Sequence, residues 1–246
     1  MIRSGFWLAV ALAALLARGA VAAEAPPTCD VPADLVAPVH PLTRLGRSLQ
    51  PGGRLDVLAL GSGTLLGPRG GVEGSVPEHM VESLRAASPG ATVRLTQHAA
   101  RAETATEMLA VLRRELAAHA YQLVLWQTGT VEAVRKLPPE QFRQTLADGA
   151  GAVAASGADL VLIDVPYSRL LESNSDLQPY RAALQDVADS GAAVLFRRYD
   201  LMRQWAKTGE IDLEEAAKHE RTHTAERLRA CLGEALAKVV LAGRAQ

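Results

Sequence analysis

Aromatic residues are scarce in this 246-residue chain, at 4%, so its core must rest on aliphatic packing of Ala, Leu and Val. Charge of neither sign is in excess, because Lys and Arg number 26 and Asp and Glu 27. That balance supplies no basic footprint for nucleic acid or for an anionic membrane surface, and neither partner is expected. With 48% hydrophobic residues and no collagen-like excess of Gly or Pro, the composition excludes a disordered or fibrous chain and suffices for one sizeable core. Long hydrophobic runs are missing too. The stretch Phe6 to Leu16 falls short of the about 20 residues that cross a bilayer, and no later stretch makes a membrane span.

Arg3 precedes that run, and small residues ending in Val21-Ala22-Ala23 follow it, the order of a secretory signal and its cleavage site. The expected organisation is a signal peptide over 1–23, an extended Pro- and Gly-rich arm over 24–53 and one domain over 54–243. Export would place the mature chain in the periplasm or outside the cell. Cysteine is limited to Cys29 and Cys231, and an oxidising compartment predicts a disulfide between them, pinning the arm to the last helix.

From Leu55 onward, apolar runs of strand length recur at 55–60, 92–97, 121–126, 158–163 and 192–196. Segments of helical period separate them, at about 77–88, 103–118, 140–156 and 177–190, with a helical tail from about 200 to 241. Strands alternating with helices predict parallel pairing and a sheet covered on both faces. The fold class is therefore α/β, a three-layer α/β/α sandwich on a five-stranded parallel sheet of flavodoxin-like kind. Ligand sites in such sheets lie beyond the carboxyl ends of the strands. This directs attention to Gly61–Gly67, Gln97–Glu103, Gln127–Glu132, Asp164–Ser168 and the loops around 197 and 219.

Two short motifs compete there. Gly61-Ser62-Gly63-Thr64-Leu65-Leu66-Gly67 has dinucleotide-fingerprint spacing, but Pro68 and two glycines interrupt the helix it should open, and strand two ends without the ribose-binding acid. No cofactor is expected. His219-Glu220-Arg221-Thr222-His223 spells HExxH, which on a helix would offer His219 and His223 to zinc as a remote alternative. Lys218 and Arg221 make the segment read as a solvated helix start, and Glu226 and Glu234 lie too near on the same helix to complete the site. A third arrangement has Ser62 at the end of strand one and Glu220 and His223 late in the chain, the order of a Ser-His-acid hydrolase.

On these residues the chain resembles the SGNH (GDSL-type) hydrolase family, in its exported bacterial branch. The resemblance runs through Cys29-Asp30-Val31-Pro32, Leu58-Ala59-Leu60-Gly61-Ser62, Trp126-Gln127-Thr128-Gly129-Thr130, Leu162-Ile163-Asp164-Val165-Pro166-Tyr167, the stretch Leu195 to Arg203, and Cys231-Leu232. It implies a nucleophilic serine, a glycine N–H and an asparagine amide as oxyanion donors, and a late Asp-x-x-His. Ser62, His223 and Glu220 are the matching catalytic candidates; Gly63, Ala99, Gly129 and Val131 occupy the oxyanion region. A small-molecule ester or acylated ligand is the implied partner.

The blocks depart from that pattern. Counted from Gly61, the nucleophile position carries Gly63, and Ser62 reaches it only through a one-residue deletion in the turn. Ala99 stands in a stretch without glycine. Val131 replaces the amide, and Glu220 replaces Asp. Loss of one oxyanion donor costs about 10²- to 10³-fold in rate, and loss of the nucleophile on the order of 10⁶-fold. The expectation is an esterase-like protein with lost or much reduced activity and a binding or accessory role; the alternative is an active ester hydrolase or acyl transferase.

Overall fold

Each strand sends alternate side chains to opposite faces. In the computed structural model, which describes residues 29–244, that alternation divides the core in two. Leu55, Val57 and Ala59 of β1 (Arg54–Gly61) enter one cluster, and Leu58 and Leu60 enter the other. The same split recurs in β3 (Leu123–Gln127) and β4 (Asp159–Ile163), with Leu125 and Ile163 on the first side and Trp126 and Leu162 on the second. With β2 (Thr92–Ala99) and β5 (Val194–Phe196) they form one sheet in the order β2-β1-β3-β4-β5. All pairings are parallel, with Leu58 opposite Val124 and Val124 opposite Leu160.

The first face is covered by α1 (Ala33–Val36), α2 (Val76–Ala87), α8 (Arg198–Thr208) and α9 (Arg221–Gly243). The second carries α3 (Ala105–Ala118), α5 (Pro139–Ser156) and α7 (Gln178–Asp189), with the short α4 (Thr130–Arg135) and α6 (Arg169–Asn174) between strands and helices. The three-layer α/β/α sandwich expected from the sequence is thus the fold. Local chemistry sets the helix starts: Ser75 accepts from the Glu78 N–H with Pro77 in the first turn, and Thr104 and Glu107 form a reciprocal capping box.

The C-terminal tail departs from the expectation of one helical stretch. It breaks into α8 and α9 because Gly209 takes a left-handed conformation at φ +75°, and Asp212 then accepts the N–H groups of Glu214 and Glu215 in a turn. α9 lies tightly on α2, where Gly233 leaves no room for a side chain: a Cβ there would sit 2.4 Å from the Cβ of His79.

The proposed signal peptide, 1–23, and the first residues of the arm lie outside the described residues. The rest of the arm is stitched to the domain. Cys29 and Cys231 are disulfide-bonded with their Cα atoms 5.6 Å apart, Trp205 Nε1 donates to the Asp30 carbonyl at 2.6 Å, and Leu35, Leu42, Leu45 and Leu49 are buried. Among the described residues, no helix is long and apolar enough to cross a membrane.

Candidate active site

β1 delivers Ser62 to the carboxyl edge of the sheet through Gly61, where a Cβ would come within 2.3 Å of Leu65 Cδ1. Ser62 is 4% exposed. Its hydroxyl donates to Gln127 Oε1 at 3.2 Å, its backbone N–H donates to the same oxygen at 3.1 Å, and the Thr64 hydroxyl adds a third bond at 3.0 Å. Gln127 ends β3, next to β1, and is fully buried. An amide oxygen orients a hydroxyl but does not take its proton at neutral pH, so this partner does not do the work of a catalytic base.

The oxyanion region is equally committed. Gly129 adopts φ +93°, which glycine alone adopts without strain, and its N–H donates to Glu132 Oε2 at 3.0 Å. The other Glu132 oxygen accepts the Ala105 N–H at 2.5 Å, so this buried carboxylate ties the loop after β3 to the start of α3. Val131, half-buried, has no side-chain donor. Ala99 is the last residue of β2, opposite Gly61. Gly63 opens a short 3₁₀ turn over Gly63–Leu65, and a Cβ on it would rest 3.5 Å from Arg101 Cγ, an ordinary contact. Glycine is therefore not sterically demanded at the position the family gives to its nucleophile.

His223 stands exposed in the first turn of α9, in the wall of a cavity of about 460 Å³ with Pro68, Gly74, His79 and Glu226. Glu220, the residue before α9, approaches His219 at 3.8 Å. Among the described residues, no hydrogen bond joins Ser62 to His223 or His223 to Glu220. The HExxH stretch does not lie on one helix either. Helical bonding begins with the Glu220 carbonyl accepting from Thr224, leaving His219 in the preceding turn, and no group of three potential metal ligands occurs among the described residues.

Two further charged groups dominate this edge, Asp164, which the sequence marks by its place after strand four, and Arg198, to which it gives no role. Asp164, at the end of β4, is buried and bonded to Arg181 Nε and Nη2 at 3.0 and 2.9 Å and to the Val165 N–H. Burial pushes its carboxyl up, against the pull of Arg181. Arg198, in the first turn of α8, is 2% exposed and reaches across the sheet edge to place Nη1 3.4 Å from Thr64 Oγ1. Burial lowers its guanidinium to about 10, against the opposing charge of Asp164. The available signal was a polar Gln closing an otherwise apolar strand and paired arginines closing another, both unusual in strands buried on two faces.

Solved structures share this architecture. LAE5, an α/β hydrolase enzyme from the metagenome of Lake Arreo in Spain, is similar with a TM-score of 0.60 at 13% identity, covering 78% of this chain and 99% of its own. Axe2, an acetylxylan esterase from Geobacillus stearothermophilus, matches with TM-score 0.59 at 14% identity over 75% of this chain and 95% of its own. A G-D-S-L family protein from Desulfitobacterium hafniense DCB-2 matches with TM-score 0.57 at 16% identity, over 75% and 98%. At these identities the likeness is one of fold. No curated relative matches. A family model matches residues 28–246, spanning the described chain, and the chain belongs to the non-GDSL lipase-like family.

Proposed function

We propose that this chain is an exported, non-hydrolytic member of its family that binds a small ester or acylated ligand at the carboxyl edge of the sheet without turning it over. The observation that carries this reading is the buried Ser62 hydroxyl, donated to the Gln127 amide oxygen and joined by no hydrogen bond to an imidazole. Gly129 N–H held by Glu132, and Val131 in place of an amide, add to it, because each withdraws a donor that a tetrahedral oxyanion would need. Export to the periplasm or beyond is supported by the order of residues 1–23 and by the Cys29–Cys231 disulfide.

The test is turnover of activated short-chain acyl esters together with labelling by an organophosphonate. The expected result is hydrolysis no faster than the Ser62→Ala variant and no labelled serine, in protein whose circular dichroism reports an intact fold. Turnover that vanishes in Ser62→Ala, with the phosphonate on Ser62, would instead establish a hydrolase working through Ser62, His223 and Glu220.

A further inference from the structure

A guanidinium withdrawn from water without a partner is among the most costly groups a fold can carry, because its desolvation is not offset by an opposing charge. Arg198 is close to that condition, its burial outweighing the opposing charge of Asp164. Nε and Nη2 have no hydrogen-bond partner, and Nη1 makes only the 3.4 Å contact with Thr64. Among the described residues, no neighbouring carboxylate forms an ion pair or hydrogen bond with it. Both oxygens of Asp164 are taken by Arg181 and the Val165 N–H, and those of Asp200 by Arg181 and Arg197 at 3.2 and 3.0 Å. With Arg203 3.8 Å from Asp200, four guanidiniums thus face two carboxylates, and Arg198 is the one among them without an ion pair.

The unmatched groups beside it are rich in donors. Gln127 Nε2 and the Thr128 hydroxyl are buried without partners. Thr64 Oγ1 donates to Gln127 Oε1 and accepts from Arg198 Nη1, so the amide and the guanidinium meet at one hydroxyl. Thr64 itself is exposed, so this meeting point lies at the protein surface, with the stem of Arg101 close to neighbouring Gly63. Clustered donors around an unpaired cation are complementary to one kind of group, an acceptor carrying negative charge.

We infer that Arg198, with Gln127 and Thr64, forms a binding site for a small oxyanion, the carboxylate or phosphoryl group of a ligand entering past Thr64. The inference rests on the reading of this edge as a ligand site and adds the chemistry of what it holds. The ligand's anionic oxygens would accept from Arg198 Nε and Nη2 and from Gln127 Nε2, filling the valences that the protein leaves open.

The experiment is thermal unfolding of the mature chain at constant ionic strength, with chloride replaced by acetate in one arm and by inorganic phosphate in the other. The expected result is a rise in Tm with one of the two that grows with the logarithm of its concentration above Kd, roughly 5–10 °C at a hundredfold excess, which identifies the carboxylate or the phosphoryl source. Arg198→Met should abolish the rise. Because it replaces an unpaired buried charge by an apolar side chain of similar reach, that variant should fold at least as well as the parent. Thr64→Val, at the exposed lip, is a second variant that should weaken the response without disturbing the core. A flat Tm in both arms, or a rise that survives undiminished in Arg198→Met, would overturn the inference. Neither result depends on ester turnover, so failure here is separable from failure of the non-hydrolytic reading.

Discussion

Gln127→Glu probes the charge state of the sheet edge with a change of one atom. The carboxylate keeps the acceptor that serves Ser62 N–H, Ser62 Oγ and Thr64 Oγ1, and converts the unpartnered Nε2 into a second acceptor. In a neutral interior, burying that carboxylate would raise its folded-state pKa above the reference of about 4.3, and each unit of rise would remove about 1.4 kcal/mol at neutral pH. Beside an unpaired Arg198 the sign reverses. A hydrogen bond to a charged group contributes about 1.5–3 kcal/mol, enough to offset much of the desolvation, so the variant should be no less stable than the parent at neutral pH and up to about 2 kcal/mol more stable. The pH dependence carries the same sign. A depressed folded pKa gives stability that is present above the unfolded value and lost as pH falls through the folded one, so the advantage over the parent should fade below about pH 4. Urea unfolding of both proteins across that range measures it. A variant that loses more than about 2 kcal/mol at neutral pH, and regains it on acidification, would refute an electropositive edge.

Two further expectations concern the scaffold. The disulfide closes a loop with a sequence separation of 202 residues, for which chain entropy alone gives about 5 kcal/mol; the Cys29→Ala/Cys231→Ala variant should lose about 2–5 kcal/mol in urea unfolding, and a loss below about 1 would mean that the arm's remaining contacts already hold it. Gly233→Ala would favour an isolated helix by about 1 kcal/mol. Here its Cβ would lie 2.4 Å from His79 Cβ and 2.8 Å from the Val76 carbonyl, so a net loss of about 1–3 kcal/mol is expected, and a higher Tm would contradict the close approach of α2 and α9.

The fold was legible because its signals are local. Runs such as Leu123–Gln127 alternate between faces by the geometry of a strand, Ser75, Thr104 and Glu107 start helices through bonds to residues three positions away, and Pro77 sits in a first turn where its missing N–H costs nothing. The short helices α1, α4 and α6 carry too few turns to show a period, and the break in the tail turned on Gly209, whose left-handed conformation stops a helix where composition alone would let it run. The candidate site was legible only as a set of segments. Gln127 to Glu132 and Asp164 to Ser168 were marked by their place after strands, whereas Arg198 stood out only as part of an unusual stretch.

By itself, the sequence determined the layers, the parallel sheet and the two cysteines that meet, because periodicity and residue scarcity act along the chain. Tertiary structure alone decided that the Ser62 hydroxyl turns to Gln127, that Glu132 accepts the Ala105 N–H, that His223 faces solvent, and that Arg198 crosses to Thr64. Those outcomes join residues 65, 27 and 134 positions apart or set a side chain against solvent. They depend on which donors and acceptors remain unmatched once the backbone has packed, a property of the assembled edge and of no single segment.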